Sequence, residues 1–332
     1  MILVVTNKED VHPTPVIEYL TSKGHPVFRL NTEALLSDYD FTWNCTQDGI
    51  DFSITNFKTG LCARSCDIGA VWERRPVLPS ELRITNREEI NRHNLAEAGG
   101  FLSFLLYWLG SRYSIGHHLY DRSAASKILQ LDVARQLGMR VPSTCFSNCK
   151  ADIINFAQAC GCVAIKSIEN DNVWLGGEDE YVFYSQKAEP QDIAASSEEA
   201  FTQTVSFVQD YVDKAFELRV TVVDGEAFAC KIDSQAMDED KGKTDWRQGL
   251  DHGIRHEVFP LPDRVTAFCN KFLKRMHLNF GSFDFIVTPS GEYVFLECNP
   301  NGQWLWVEIE TGMNISQAIA ECLIRHDKQT TT

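Results

Sequence analysis

Residues 280–301 read FGSFDFIVTPSGEYVFLECNPN, and this stretch decides the fold that we predict. Two apolar segments flank a turn-forming PSGE sequence, a pattern that predicts an antiparallel hairpin. Side chains two residues apart on a strand share one face, so Glu297 and Asn299 project together, and the pairing brings Asp284 beside them. Two carboxylates and an amide are hard oxygen ligands of the kind that Mg²⁺ prefers. We predict a Mg²⁺ site here; the alternative is a strand end capped by an Asn-Pro turn.

Two lysines upstream of this hairpin are candidates for binding an anion. Lys127 lies in the helical segment DRSAASKIL, and Lys166 ends the apolar strand CVAIK. A lysine at the end of a buried strand needs an anion or a path to water, because an unpaired buried charge is costly. The polar loop beyond it carries Gly176 and Gly177 and is suited to fold over phosphates. The alternative is that both lysines are solvated, as most lysines are.

A third cluster follows from the strand pattern ELRV and the turn after it. Glu217 and Arg219 are two residues apart and therefore share a face. The turn at Asp224-Gly225 returns a strand that carries Lys231 alongside them. A carboxylate, a guanidinium and an ammonium side by side suit sugar hydroxyls and anionic oxygens. An exposed ladder of ion pairs is the alternative.

The N-terminal segment predicts an α/β fold. A strand at Ile2–Thr6, a helix near residues 14–23 and a strand near 26–30 give the βαβ order of a parallel sheet. The loop after the first strand lacks the glycine pattern of a dinucleotide site. Further helices are predicted at 87–109, 121–137, 151–160, 264–276 and 315–326, short antiparallel strands within 41–56, and a strand pair at 163–167 and 181–184.

The composition excludes several classes of partner. The chain has 332 residues with 31 basic and 46 acidic side chains, a net charge of −15, so it repels nucleic acid and anionic membrane surfaces. Its longest apolar run, Phe101–Leu109, is shorter than the roughly 18 residues that a membrane span needs. The start of the chain lacks a signal-peptide pattern. Eleven cysteines, an odd number, argue against a disulfide framework. We expect a cytoplasmic protein with reduced thiols.

Six motifs together give the sequence a specific resemblance. They are VVTNKED at residues 4–10, RLNTE at 29–33, VWERRP at 71–76, ELRVTVV at 217–223, TDWR at 244–247 and LECNPNGQWLWVE at 296–308. The chain resembles the ATP-grasp ligases, and more narrowly the graspetide synthetases, which mature ribosomal peptides of the microviridin type. The resemblance covers nearly the whole chain. It implies an N-terminal βαβ pre-grasp domain (1–115), a central ATP-grasp domain (116–203) and a C-terminal antiparallel-sheet domain (204–332).

The resemblance also implies roles for individual residues. Lys127 and Lys166 would contact the phosphates of ATP, and Glu217 would hold the ribose hydroxyls. The adenine pocket would be lined by Gln209, Asp210, Tyr211 and Val212. The phosphoryl group and the tetrahedral intermediate would be stabilised by Arg219, Lys231 and Arg247. The Mg²⁺ ligands would be Asp284, Glu297 and Asn299.

The implied substrate is a ribosomal precursor peptide with a leader and a core. A core carboxylate would attack the γ-phosphate of ATP, and a hydroxyl or amine of the same peptide would then displace phosphate. Arg74, Arg75 and Arg247 are candidates to receive core carboxylates. The resemblance implies that a leader helix docks on the central domain. Nine acidic residues and one basic residue lie between Glu169 and Glu199, which suits a leader helix with a basic residue; a solvated acidic face is the alternative. The rim of that leader site would include Glu178, Asp179 and Glu180.

Two other functions stay open on the sequence alone. An ATP-grasp ligase that joins a free amino acid to a peptide or protein would share every nucleotide-binding residue. The third possibility is a peptide-binding protein with an inactive nucleotide site, although the complete set of lysines and Mg²⁺ ligands argues against it. We expect ATP and Mg²⁺ as cofactors and a homodimer as the assembled form. The sequence does not distinguish an ester product from an amide.

Overall fold

The computed structural model describes residues 1–78, 85–169, 172–174, 180–237, 240–248 and 253–327. The first part of the chain forms β1 (Ile2–Thr6), α1 (Pro13–Ser22), β2 (Val27–Asn31), β3 (Tyr39–Thr46), β4 (Gly49–Asn56), β5 (Cys62–Arg64), β6 (Ala70–Glu73), α2 (Glu88–Leu109) and β7 (Tyr113–Ile115). A parallel sheet has the order β2-β1-β6-β7, and β3, β4 and β5 form a separate antiparallel sheet. β1 is buried over its whole length, as expected for an unbroken apolar strand within a parallel sheet.

The middle of the chain forms a four-stranded antiparallel sheet, a two-stranded ribbon and several helices. Its elements are α3 (His118–Ala124), α4 (Lys127–Gln136), β8 (Thr144–Ser147), α5 (Lys150–Cys160), β9 (Val163–Lys166), β10 (Asn172–Trp174), β11 (Glu180–Val182), β12 (Gln186–Ala188), α6 (Pro190–Ala195), α7 (Glu198–Thr202) and β13 (Ser206–Asp210). The sheet order is β12-β9-β13-β8, and β10 and β11 form a ribbon of their own.

Two sequence predictions in this region are wrong. The helix predicted at 121–137 is two helices, because the chain turns at Ala125 and Ser126 and the Gln130 side chain donates to the Ala124 carbonyl at 2.6 Å. The strand at 163–167 does not pair with 181–184. β9 instead pairs with β12 and β13, and Glu180–Val182 pairs with the ribbon strand β10.

The last part of the chain forms a five-stranded antiparallel sheet. Its elements are β14 (Phe216–Val223), β15 (Glu226–Ile232), α8 (Asp240–Thr244), β16 (His256–Val258), α9 (Asp263–Arg275), β17 (Phe280–Val287), β18 (Tyr293–Asn299), α10 (Leu305–Thr311) and α11 (Ile315–Asp327). The order is β16-β15-β14-β17-β18, so the hairpin predicted from residues 280–301 is confirmed.

The cores explain why the first and last parts of the chain pack together. Phe268 and Phe272 of α9 cover one face of the five-stranded sheet and contact Phe283 and Phe295. On the N-terminal side, Trp304 and the apolar side of α11 share one core with β1 and β6. Helix α11 also packs against α1. The loop after β18 is therefore buried against the N-terminal sheet.

The remaining sequence expectations concern thiols, membranes and domain limits. All eleven cysteines are free, as predicted. Within the part of the chain that the structure describes, no helix combines the length and the apolar character required to cross a bilayer. The division of the chain at residues 115 and 203 stays a prediction.

Candidate active site

A cleft of about 920 Å³ lies between the sheet β12-β9-β13-β8 and the five-stranded sheet. Ala164 and Phe207 line it from the first sheet, and Phe285 and Leu296 line it from the second. Apolar walls on two sides, with polar groups at one end, are typical of a pocket for a planar ring that carries a charged group.

The hairpin β17–β18 supplies the polar end of the cleft. Asp284 lies opposite Glu297 in the strand register, and the Asn299 Nδ2 donates to Glu297 Oε1 at 3.0 Å. The register shifts between Asp284 and Phe285, which is a β-bulge. Because of this bulge the consecutive residues Leu296 and Glu297 both line the cleft. The two carboxylates and the amide are thus brought together.

Basic side chains compensate both carboxylates. Lys127, at the start of α4, forms a close ion pair with Glu297. Arg219 lies beside Asp284 on the neighbouring strand, with its NH1 at 3.0 Å from Asp284 Oδ2. Burial raises the pKa of Asp284. Burial acts in the same direction on Glu297, but Lys127, Asn299 and Lys166 together outweigh it and lower the pKa of that carboxyl. These contacts therefore favour the ionised form of Glu297.

The position of Lys127 is fixed by a side chain one turn along the same helix. The amide of Gln130 accepts from the Cys298 backbone N–H at 2.8 Å and donates to the Cys298 carbonyl at 2.8 Å. Gln130 is buried, so these bonds do not compete with water. They tie α4 to the strand that carries Glu297.

The opposite end of the cleft is lined by the segment Gln209–Val212. Gln209 is 1% exposed, and its Oε1 has no hydrogen-bond partner in the part of the chain that the structure describes. Its Nε2 donates to Thr144 Oγ1 at 3.1 Å, which fixes the orientation of the amide. A buried acceptor without a partner is costly, so this site is suited to a ligand that supplies an N–H donor.

Lys166, Lys214 and Glu217 line the cleft between these two ends. Burial lowers the pKa of Lys166 to about 8. Lys214 contacts Glu217 closely and donates to the Thr244 carbonyl at 3.0 Å. The other oxygen of Glu217 accepts from the Ser234 hydroxyl. Both oxygens of Glu217 therefore have partners already.

Three arginines reach the cleft beside the carboxylates, namely Arg75, Arg219 and Arg247. The Arg219 Nε is buried without a hydrogen-bond partner among the described residues. Burial and, to a lesser extent, the charge of Arg219 lower the pKa of Arg75. Arg247 makes a two-point contact with Asp245, Nε to Oδ1 at 2.9 Å and NH2 to Oδ2 at 2.7 Å. Asp245 is itself held by the Ser185 N–H at 2.9 Å.

The structure contradicts the sequence prediction for Lys231. Residues directly opposite in a strand pair point to the same side, and the partner of Lys231 is Leu218, whereas Arg219 is opposite Cys230. Lys231 therefore lies on the other face of the sheet, over the ring of Phe216 at 5.2 Å, and does not line the cleft.

Arg74 also departs from the prediction. Its side chain is 1% exposed and lies beneath the cleft wall, where it contacts Asp10 and two backbone carbonyls. Of these two adjacent arginines, only Arg75 lines the cleft. A guanidinium this deeply buried does not receive a peptide carboxylate.

The RimK-like ATP-grasp domain family matches residues 124–323, which is more than half of the chain. The chain belongs to this family. ATP-grasp ligases use ATP with Mg²⁺. Membership confirms the ATP-grasp fold and the broader ATP-grasp family that the sequence motifs predicted. A comparison with curated proteins gives no match.

Solved structures of three ATP-grasp enzymes resemble the whole chain. A RiPP-associated ATP-grasp ligase from Chryseobacterium gregarium, in complex with ADP and a leader and core peptide, has a TM-score of 0.88 at 24% identity over 98% of this chain and 96% of its own. The macrocyclase MdnC of Microcystis aeruginosa MRC, bound with precursor peptide MdnA, has a TM-score of 0.83 at 26% identity over 98% and 99%. The macrocyclase MdnB of the same organism has a TM-score of 0.77 at 27% identity over 97% and 98%.

The residues present fit the ATP-grasp cofactors. The unpartnered Gln209 Oε1 matches the amino group of adenine, and Ile286 and Leu296 offer apolar surface beside it. Lys127 and Lys166 would bind the phosphate oxygens of ATP. Asp284, Glu297 and Asn299 would hold Mg²⁺, because their donor set consists of hard oxygens. The ion would supply positive charge next to the phosphates.

Part of the predicted leader site falls outside the described residues. Glu178 and Asp179 lie there, as do Gly176 and Gly177 of the predicted phosphate loop. Of Glu180 the structure describes only the backbone, at the start of β11. The leader site therefore stays a prediction.

Three functional side chains were missed in the sequence analysis. Gln130 bonds to the backbone of Cys298, 168 residues away, and Lys214 lies outside any helix, so a helical spacing rule does not find either of them. Asp245 belongs to the quoted TDWR motif, of which only the arginine was assigned a role.

Gly302, in the loop after β18, packs tightly against Ser282 of β17, and a substitution at this position tests that contact. A Cβ at this position would lie 2.3 Å from Ser282 Cβ and 2.5 Å from Ser282 Oγ. We expect Gly302→Ala to displace the loop, to destabilise the fold by about 1–3 kcal/mol and to lower the rate of ADP release. The measurements are thermal unfolding and a coupled ADP assay. Gly100→Ala is the matched control, because a Cβ there meets open space and alanine favours a helix. Equal behaviour of the two variants would contradict this reading.

Proposed function

We propose that the protein is an ADP-forming ATP-grasp ligase that closes macrocycles in a ribosomal precursor peptide. It would join Asp or Glu side-chain carboxylates to Ser or Thr hydroxyls as esters, or to Lys amines as amides. The observation that carries the proposal is that Arg75 and Arg219 line the same cleft as Asp284, Glu297 and Asn299. A carboxylate held by the arginines would thus stand next to a phosphate group at the Mg²⁺ ligands.

The reaction has two steps, both of which suit a cationic cleft. A carboxylate oxygen of the core attacks the γ-phosphorus of ATP, the bond to the bridging oxygen of ADP breaks, and an acyl phosphate forms. A hydroxyl or amine of the same peptide then attacks the carbonyl carbon and loses its proton, and inorganic phosphate leaves. Both transition states carry negative charge on oxygen, which preorganised cations such as Arg219 and Arg247 stabilise.

The conformation of Arg75 supports a substrate-binding role. Its φ is 48°, a left-handed backbone that side chains other than glycine adopt rarely. The Asn7 side chain donates to the Arg75 carbonyl at 2.8 Å and holds this conformation. Strain of this kind is retained where it aims a functional group. The Arg75 guanidinium is thereby directed into the cleft, with its Nε at 3.2 Å from the Asn301 carbonyl.

Complexes of similar proteins favour a peptide substrate. The structure of the Chryseobacterium ligase is a complex with ADP and a leader and core peptide, and that of MdnC is bound with precursor peptide MdnA. We propose the same kind of partner for this chain, with the leader bound on the central domain near Glu178, Asp179 and Glu180. We propose in addition a cytoplasmic location, the three-domain division at residues 115 and 203, and a homodimer.

The test is a reaction with the peptide encoded by a short reading frame next to this gene, with Asp or Glu and Thr, Ser or Lys in its core. We expect ADP release that requires the peptide, and a peptide mass lower by one water for each bond formed. ADP release with free amino acids instead would favour the amino acid ligase. ADP release with neither, together with peptide binding, would favour the binding protein.

Removal of the leader should slow the modification of the core by roughly a hundredfold, because a second binding site raises the effective concentration of the core at the cleft. The measurement is the rate of water loss by mass spectrometry for the full precursor and for the leaderless core. Reversing the charges of Glu178, Asp179 and Glu180 should raise the KM for the precursor and leave ATP binding unchanged. A leaderless core modified as fast as the full precursor would refute the two-site arrangement.

A further inference from the structure

Three segments of the motifs that carry the resemblance contribute Arg75 and Asn299 to the site described above, and they also contain Arg74, which lies outside it. They are TNKED at residues 6–10, ERRP at 73–76 and NPNGQW at 299–304. The first two end strands of the parallel sheet, and the third follows the Mg²⁺ ligand Asn299. In the structure the three motifs meet at one wall of the cleft, and Arg74 is at the centre of the contact.

Arg74 joins the N-terminal sheet to the loop after β18. Its NH1 donates to the Asn301 carbonyl at 2.5 Å and to the Gly302 carbonyl at 3.1 Å. Its Nε lies 3.0 Å from Asp10 Oδ2. One planar guanidinium therefore bridges a carboxylate on one side and two consecutive carbonyls on the other, a geometry that the compact ammonium of lysine does not provide.

Asp10 is held in place by its own neighbours. Its Oδ1 accepts from the His12 backbone N–H at 3.0 Å and lies 2.8 Å from His12 Nδ1. Its backbone N–H donates to Asn7 Oδ1 at 2.9 Å. The ring of His12 packs edge-on against Trp304 at 5.4 Å. Arg74 thus forms an ion pair with a fixed anion, and the whole contact is shielded from water because Asp10, His12 and Arg74 are each at least 90% buried.

The same loop has a second anchor on the opposite side. The Asn301 Nδ2 donates to Asp121 Oδ2 at 2.6 Å. Gly302 packs so tightly against Ser282 that no space remains for a Cβ atom. The loop is therefore held from the parallel sheet by Arg74, from α3 by Asp121 and from β17 by Ser282.

From these contacts we infer that Arg74 is a positioning residue that fixes the loop Asn299–Gly302 and, through it, the Mg²⁺ ligand Asn299. The inference rests on the proposed function, since it takes Asn299 as a ligand. Arg74 itself contacts neither the cleft nor a substrate. Its effect is on metal affinity, because outer partners that orient a ligand are typically worth about 10- to 100-fold in metal binding.

The test measures metal binding directly, with Mn²⁺ in place of Mg²⁺ and free Mn²⁺ followed by electron paramagnetic resonance. In the presence of ADP, we expect Arg74→Gln to weaken Mn²⁺ binding by about 10- to 100-fold. ADP affinity without metal, measured by calorimetry, should stay unchanged within about twofold, because Arg74 does not line the cleft. Arg74→Lys should recover part of the loss at most.

Arg112→Gln is the matched control. Arg112 is a partly buried arginine of the N-terminal region that, like Arg74, donates to two backbone carbonyls, those of Ile68 at 3.0 Å and Ser65 at 2.9 Å. These carbonyls are remote from the metal ligands, so Mn²⁺ binding should not change. An equal loss in both variants would mean that the effect is one of general stability and would overturn the inference.

A second variant covers the case in which Arg74→Gln does not fold. Asn301→Ala removes the bond to Asp121 and leaves Arg74 in place. It should weaken Mn²⁺ binding as well, by a smaller factor, and unchanged binding would contradict the role of the loop. Failure of the unmodified protein to bind Mn²⁺ with ADP would instead refute the proposed function, so the two failures are distinguishable.

Discussion

Replacing Glu297 with glutamine should abolish measurable ADP release while the fold stays intact. The substitution keeps the size of the side chain but removes the negative charge at the centre of the proposed Mg²⁺ site. It also removes the ion partner of Lys127. Loss of this ligand would take the positive charge of the ion away from the reacting phosphoryl group, and loss of such a preorganised contact typically lowers kcat by roughly 100- to 1,000-fold. The measurement is ADP release at saturating ATP over a Mg²⁺ titration, with circular dichroism to verify folding.

Glu292→Gln is the control for this experiment. Glu292 belongs to the same hairpin, follows its turn and pairs with Arg140, with half of its side chain exposed. An exposed ion pair contributes little to stability, so activity should stay within about twofold. Full activity of Glu297→Gln with unchanged Mg²⁺ dependence would remove the metal assignment.

Replacing Arg219 with alanine should lower kcat much more than it weakens ATP binding. Arg219 lines the cleft beside Asp284 and has a buried Nε without a partner among the described residues. Stabilisation of developing negative charge by such a group is worth about 3 kcal/mol, or roughly a hundredfold in rate. The measurement compares kcat with the ATP dissociation constant. An equal loss in both quantities would indicate a simple nucleotide contact.

Lys231→Ala is the control for the loss of one positive charge from this sheet. It removes a cation from the strand next to Arg219, but from the opposite face of the sheet. We expect a small effect on kcat, in contrast to the role that the sequence implied. Arg219→Lys is a second variant, because alanine leaves Asp284 without its nearest cation and can also reduce stability.

The parts of the site that the sequence predicted are those set by short-range geometry. A two-residue repeat along a strand placed Glu297 with Asn299 and Glu217 with Arg219, and a turn sequence paired Asp284 with Glu297. The family followed from motifs spread along the chain. These predictions depend on strand periodicity and on turn chemistry, which are encoded in a few neighbouring residues.

The predictions that were wrong depend on register or on distant contacts. Lys231 was placed with Arg219 because a hairpin brings two strands together, but a shift of one residue in the register reverses the face of a side chain. The bulge that turns both Leu296 and Glu297 into the cleft has no signal in its own sequence. Arg74 is adjacent to Arg75 and identical in type, and only the packing of the N-terminal sheet against the last loop decides which of them is buried.

The bond between Arg74 and Asn301 has a consequence for the order of folding. It joins residues 227 positions apart in the chain, and the bond from Asn301 to Asp121 spans 180 positions. Contacts between distant residues form slowly, because the entropy of closing the intervening chain must be overcome before they stabilise anything. Hairpins and helices, whose partners are neighbours, assemble sooner. We therefore expect the loop Asn299–Gly302 to form its contacts with Arg74 and Asp121 last. A nascent chain would then have most of its secondary structure well before it has a working catalytic centre.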